Sequence, residues 1–159
     1  MTLTTLAACD RNTAPTTRAP VPVDGAAPAP AKTVPAFNLA LPESWKERYR
    51  IERIEGSAAS NVVPEAILVV EYLYLPAAPE LREQPLLMVV VLGQGEWQAR
   101  QKEEGPPLGD LLTERNGYAY IAALPQANPY GKDGDDAQHY EAMRRDLPAV
   151  KASFTLEGA

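Results

Sequence analysis

Hydrophobic and polar positions change rhythm along this chain, and each change predicts an element. Phe37-Asn38-Leu39-Ala40-Leu41 alternates with period two, as a half-buried strand does, and Pro42 stops it. Pro42-Glu43-Ser44-Trp45 reads as a turn that folds Trp45 back as a core anchor. A second, weaker strand is expected from Tyr49 to Ile54, with Arg and Glu on its outer face. Ala66 to Leu75 is apolar on both faces except at Glu71, and Leu86 to Leu92 is apolar throughout. Strands with that pattern are covered on both sides, so these two are expected at the centre of a sheet.

Later segments mix the two periods. Gly95-Glu96-Trp97 opens a short amphipathic helix that runs to Glu104 and ends at Gly105-Pro106-Pro107. Leu111 to Arg115 and Tyr118 to Leu124 flank Asn116-Gly117, a strong short-range signal for a two-residue hairpin. Asp135, with Gln138 three residues on, has the spacing of a capping box. Ala137, Tyr140, Met143 and Leu147 share one helical face, and Pro148 is expected near the helix end. Val150, Ala152, Phe154 and Leu156 alternate again and predict a short closing strand. The expected fold class is therefore α+β: a mainly antiparallel sheet with one or two packed helices, after a disordered N-terminal tether.

Composition sets the organisation. Every Trp, Tyr and Phe lies at or beyond Phe37, so a single globular domain is expected over 36–159. Asp10 to Pro35 holds six Pro, six Ala and four Thr with no aromatic residue. Such a segment buries too little apolar surface to offset the entropy of ordering it. It reads as a tether, extended by its prolines to a reach of up to ~80 Å at about 3.1 Å per residue. The domain carries 12 Lys and Arg against 19 Asp and Glu, or −7, while the tether carries +3 −2 = +1. An acidic domain without a basic stripe argues against nucleic acid and against direct binding to anionic lipid.

Directly before the tether stands Leu6-Ala7-Ala8-Cys9, which has the form of a bacterial lipobox around the chain's only cysteine. In that motif the thiol is acylated and the leader is removed, leaving the lipidated cysteine as the N-terminus. Residues 1–8 then read as the remnant of a signal peptide and 9–35 as the acylated cysteine and its tether. Eight residues without Lys or Arg are too few for a whole leader, so either the true translation start lies upstream or the leader is trimmed, the alternative being a chance LAAC around an ordinary thiol in a cytoplasmic protein. The lipobox reading implies a cell-envelope protein that faces the periplasm and contacts the membrane through the lipid on Cys9. Asp10 resembles the retention residue of enteric inner-membrane lipoproteins, which leaves inner against outer membrane undecided. No stretch approaches the ~20 apolar residues of a transmembrane helix, and a lone cysteine excludes an internal disulfide or a multi-cysteine zinc site.

Candidate chemistry is sparse. His139, the sole histidine, is flanked by Gln138 and Tyr140 beside the apolar helical face and reads as a surface residue. Asp133-Gly134-Asp135-Asp136 lacks the alternating ligands and closing glutamate of an EF-hand, so Asp135 reads as an N-cap and no metal or cofactor is expected. Gly93-Gln94-Gly95 has no third glycine in phase for a phosphate cradle. Glu71, paired with Asp110 or Glu114, is the one acid-base arrangement on offer for a cryptic hydrolase. Tyr118 and Tyr120 read as core. Tyr130, Asn128 and Trp97 are the candidate partner contacts, because Tyr and Trp are enriched in contact surfaces.

Leu41-Pro42-Glu43-Ser44-Trp45-Lys46 to Tyr49, Gly117-Tyr118-Ala119-Tyr120, Asn128-Pro129-Tyr130 and the closing Ser153-Phe154 span most of the domain. Together they resemble a group of small bacterial exported proteins and lipoproteins that share LPxSWK…Y, YxY…LPxxNPY and SF. The resemblance implies an extracytoplasmic α/β domain and carries no activity or functional residue with it. At the level of fold alone the pattern is also similar to PsbP-like domains, which are accessory factors. The function expected is a non-catalytic protein-binding module, such as an inhibitor or immunity-type protein. A small-ligand sensor or carrier is the alternative.

Overall fold

The computed structural model describes residues 34–157. The expectations for Met1 to Ala8, for Cys9 and for most of the tether lie outside the described residues. Val34 and Pro35, counted above with the tether, belong to the folded unit: Val34 packs on the core and the Pro35 carbonyl accepts a hydrogen bond from the Tyr120 hydroxyl at 3.1 Å.

The domain is α+β. A five-stranded antiparallel sheet contains β2 (Tyr49–Glu55), β3 (Leu68–Tyr74), β4 (Gln84–Gly93), β5 (Asp110–Arg115) and β6 (Tyr118–Ala123), in the order β2-β3-β4-β6-β5. The apolar runs Ala66 to Leu75 and Leu86 to Leu92 do sit inside the sheet, in β3 and β4, with β4 at its centre. Asn116 and Gly117, at φ 56° and 85°, close the β5–β6 hairpin in the left-handed geometry that a primed turn requires. Where the chain enters β5, backbone passes so close to backbone that a Cβ on Gly109 would stand 2.2 Å from the Ala122 carbonyl oxygen.

Helices cover both faces, three of them among the described residues: α1 (Gly56–Val62), α2 (Gln94–Arg100) and α3 (Asp135–Ala152). On one face, Val70, Tyr72, Tyr74, Val89, Val91 and Tyr120 pack against Tyr140, Met143, Leu147 and Val150 of α3. Trp45, in a short 3-10 turn, is fully buried there as the anchor that the sequence predicts. On the other face, Val69, Val90, Leu92, Ala119 and Ile121 meet Ala59 of α1, Val63 just after it and Trp97 of α2.

The chain departs from the sequence reading at several places. The Phe37 strand is only two residues long: β1 (Phe37–Asn38) pairs with β7 (Thr155–Leu156) in a separate ribbon, where Phe37 stacks on Phe154 at 5.3 Å between centroids. The closing strand is correspondingly short, because α3 continues through Pro148 to Ala152. A proline inside a helix costs about 3 kcal/mol. Leu147 and Val150, buried on either side of it, each return roughly 1.5–3 kcal/mol, so the apolar face wins. The capping box at Asp135 does not form either: Gly134, at φ 103°, precedes the helix, and no side chain caps it. The hydrophobic pattern of Gly56–Val62 carries no clear helical period, so α1 is not predicted by it. Ala59 and Val63 pin it to the sheet by tertiary burial.

Candidate functional site

Three adjoining recesses ring the first turns of α3. One, of about 410 Å³, is lined by Ala77, Leu81, Tyr130 and the Asp133 to Ala137 turn. A second, of about 620 Å³, lies among Asn128, Lys132, Ala137, Gln138, Glu141 and Arg145. A third, of about 450 Å³, is lined by Arg48, Ala77, Asp135, Gln138, His139 and Ala142. Shared lining residues (Ala77, Asp135, Ala137 and Gln138) join them into one rim.

Asp136 holds this rim together. It is 6% exposed and accepts hydrogen bonds from the Tyr74 hydroxyl at 2.7 Å, the Ala77 N–H at 2.8 Å and the Ala78 N–H at 3.1 Å. Arg48 stands 3.7 Å from the same carboxylate and 5.7 Å from the centroid of the Tyr74 ring. Burial by itself pushes the Asp136 carboxyl up; the three hydrogen bonds and Arg48 outweigh it and hold the group below its ordinary range. The ionised carboxylate thus ties the β3–β4 connection to the start of α3.

Two of the predicted contact residues share that scaffold. Asn128 accepts from the Tyr130 N–H at 3.0 Å and donates to the Ala137 carbonyl at 2.8 Å, so its amide is spent on fixing the loop. Tyr130 is half-buried, its ring 5.3 Å from Tyr74 and 5.4 Å from Tyr140, and its hydroxyl donates to the Arg82 carbonyl at 2.7 Å. Burial raises the phenols of Tyr130 and Tyr140 to about 12, so both stay protonated donors. These residues shape the rim; the groups they leave facing outward are Arg82, Lys132, Asp133, Gln138, His139 and Arg145.

Trp97 is elsewhere. It lies in the core of the opposite sheet face, only 6% exposed, and its Nε1–H is buried without an acceptor among the described residues. A cavity of about 420 Å³ opens beside it, lined also by Arg100, Glu103, Glu104, Pro106, Pro107 and Leu108. Tyr118 and Tyr120 are core, as expected.

The remaining candidates do not assemble. His139 is exposed at the rim. Among the described residues no group of three or more His, Cys, Asp or Glu is placed to hold a metal ion. Glu71 faces Glu52 on β2 and Met88 on β4. Asp110 and Glu114 are on β5, three strand spacings away, or roughly 14 Å. Asp110 is moreover ion-paired to Lys151 of α3. The acid-base pair proposed for Glu71 is therefore not formed. Burial first, and the facing Glu52 carboxylate second, raise the Glu71 carboxyl, against a smaller lowering by Arg50.

Asp136 and Arg48 are what sequence reading passed over. In the sequence Asp136 is one member of the acidic loop 133–136; its partners Tyr74, Ala77 and Ala78 are 62, 59 and 58 residues away, and no local spacing encodes them. Comparisons with family models, with curated proteins and with solved structures find no match to this chain. No helix among the described residues is long and apolar enough to cross a membrane.

Proposed function

We propose that this protein is a lipid-anchored extracytoplasmic binding module that acts by contact with another protein, as an inhibitor or immunity-type lipoprotein does. Acylation at Cys9 places it in the cell envelope facing the periplasm, and the Pro/Ala/Thr segment carries the domain clear of the membrane. It works without catalysis, cofactor or metal.

The observation that carries this reading is the pinned rim around α3. Asn128, Tyr130 and Asp136 each fasten a loop to a neighbouring element by hydrogen bonds of 2.7–3.1 Å. A surface fixed before binding loses little conformational entropy on contact, which favours affinity. Several shallow recesses side by side suit a protein's protruding side chains better than one enclosed small molecule.

Photo-crosslinking in cells tests it. A photoreactive residue at Gln138 or Lys132 of the full chain is expected to trap one protein of defined mass, and the same residue at Glu104 to trap none. Absence of an adduct at both rim positions would overturn the reading. Radioactive palmitate incorporation, lost in Cys9→Ser, checks the anchor independently.

The second reading, a small-ligand sensor or carrier, is favoured by a different observation: the cavity beside Trp97. Its volume of about 420 Å³ falls within the range of small-molecule sites, and its wall mixes apolar rings with a few polar groups.

A further inference from the structure

The Trp97 cavity has a charge pattern of its own. Its wall joins apolar Trp97, Pro106, Pro107 and Leu108 to polar and charged Arg100, Gln101, Glu103 and Glu104. The one cationic side chain in the lining, Arg100, is already engaged, with Nε 3.2 Å from Glu96 and an Nη–H donated to the Pro64 carbonyl. Glu103 and Glu104, also in the lining, form no ion pair among the described residues. A recess with an aromatic and proline wall and two uncompensated carboxylates complements a positive charge on an apolar body. Carboxylates attract the charge through the acidic lip, and the indole ring adds cation–π attraction at close range. The Trp97 Nε1–H is shut off from solvent, so what Trp97 contributes to the lining is ring surface near the cavity.

We propose that the cavity bounded by Trp97, Pro106, Pro107, Glu103 and Glu104 is a binding site for a small organic cation, an amine or quaternary ammonium carried on an apolar group. This rests on the small-ligand reading above and is independent of protein contact at the α3 rim.

The probe is benzyltrimethylammonium, titrated to about 10 mM against the nitrogen-15-labelled protein, with benzyl alcohol and benzoate as neutral and anionic controls. The Trp97 indole signal shifts saturably with the ammonium and not with either control, while the signal of the fully buried Trp45 stays in place. Glu103→Gln with Glu104→Gln weakens the ammonium about fivefold to tenfold. Added salt weakens it in the same direction on the unaltered protein, which holds the test together if the double variant folds poorly. Equal binding of benzyl alcohol or benzoate would overturn the cation class and leave a small-ligand site. No saturable shift from any probe would overturn both, with the crosslinking result at the rim unaffected.

Discussion

The two faces of the sheet each bury one tryptophan, and they treat its N–H in opposite ways. Trp45, on the α3 face, is wholly buried and donates to Asp146 Oδ2 at 3.1 Å. Trp97, on the α2 face, is nearly as buried and finds no acceptor among the described residues. Around Trp45 three tyrosine hydroxyls are matched as well: Tyr74 donates to Asp136, Tyr130 to the Arg82 carbonyl and Tyr140 to the Pro85 carbonyl at 2.6 Å. Around Trp97 the cover consists of two seven-residue helices and a Gly-Pro-Pro loop, and a cavity remains. A buried donor left wholly unmatched costs about 1–3 kcal/mol, and among the described residues only the second face holds one without a protein acceptor. The α3 face is built for rigidity, and the α2 face for less than that.

Asp136 offers the largest test of the difference. Asp136→Ala leaves the Tyr74 hydroxyl and the Ala77 and Ala78 N–H groups without their acceptor, and Arg48 without its counter-charge. A loss of about 3 kcal/mol in unfolding free energy is expected, measured by urea denaturation near pH 7. The pH dependence has a definite sign. The folded carboxyl titrates below its unfolded value of about 3.9. Its contribution is therefore complete above that value and is lost as pH falls through the lower folded pKa. The gap between parent and variant should hold from about pH 8 to pH 5 and narrow only below about pH 4. A gap that closes nearer neutrality would mean the carboxylate is not the clamp.

How far the two faces were legible in the sequence follows from the range of their interactions. Trp45, the 116–117 hairpin and the Tyr140, Met143, Leu147 face of α3 were all readable, because each rests on a spacing of a few residues. Their partners were not. Pro148 looked like a stop because its cost is local, whereas the burial of Val150 that offsets it depends on the sheet beneath. Asp135 looked like a cap because the spacing was right, yet Gly134 occupies that place and Asp136 turns inward to residues about sixty positions earlier. The candidate contacts show the same limit. Tyr130, Asn128 and Trp97 were chosen by residue type, and the structure divides them between two faces.

Trp45→Phe sharpens the contrast at intermediate size. The substitution removes buried ring volume and strips Asp146 of its donor, so a loss of about 2 kcal/mol is expected by the same denaturation measurement. A neutral result would show that the bond to Asp146 contributes nothing and that the matched face is matched in geometry alone.

Trp97→Phe should have the smallest effect and is the most telling. The indole loses part of its packing when it becomes a phenyl ring, and large-to-small changes in a core usually cost stability. Here the change also deletes the unsatisfied Nε1–H, whose desolvation was never compensated. The two contributions oppose each other, and the adjoining cavity already leaves one side of the ring short of partners. The variant is therefore expected within about 1 kcal/mol of the parent, well short of the loss at Trp45. If the same substitution costs as much at Trp97 as at Trp45, the N–H has found an acceptor, such as an ordered water, and the asymmetry between the faces disappears.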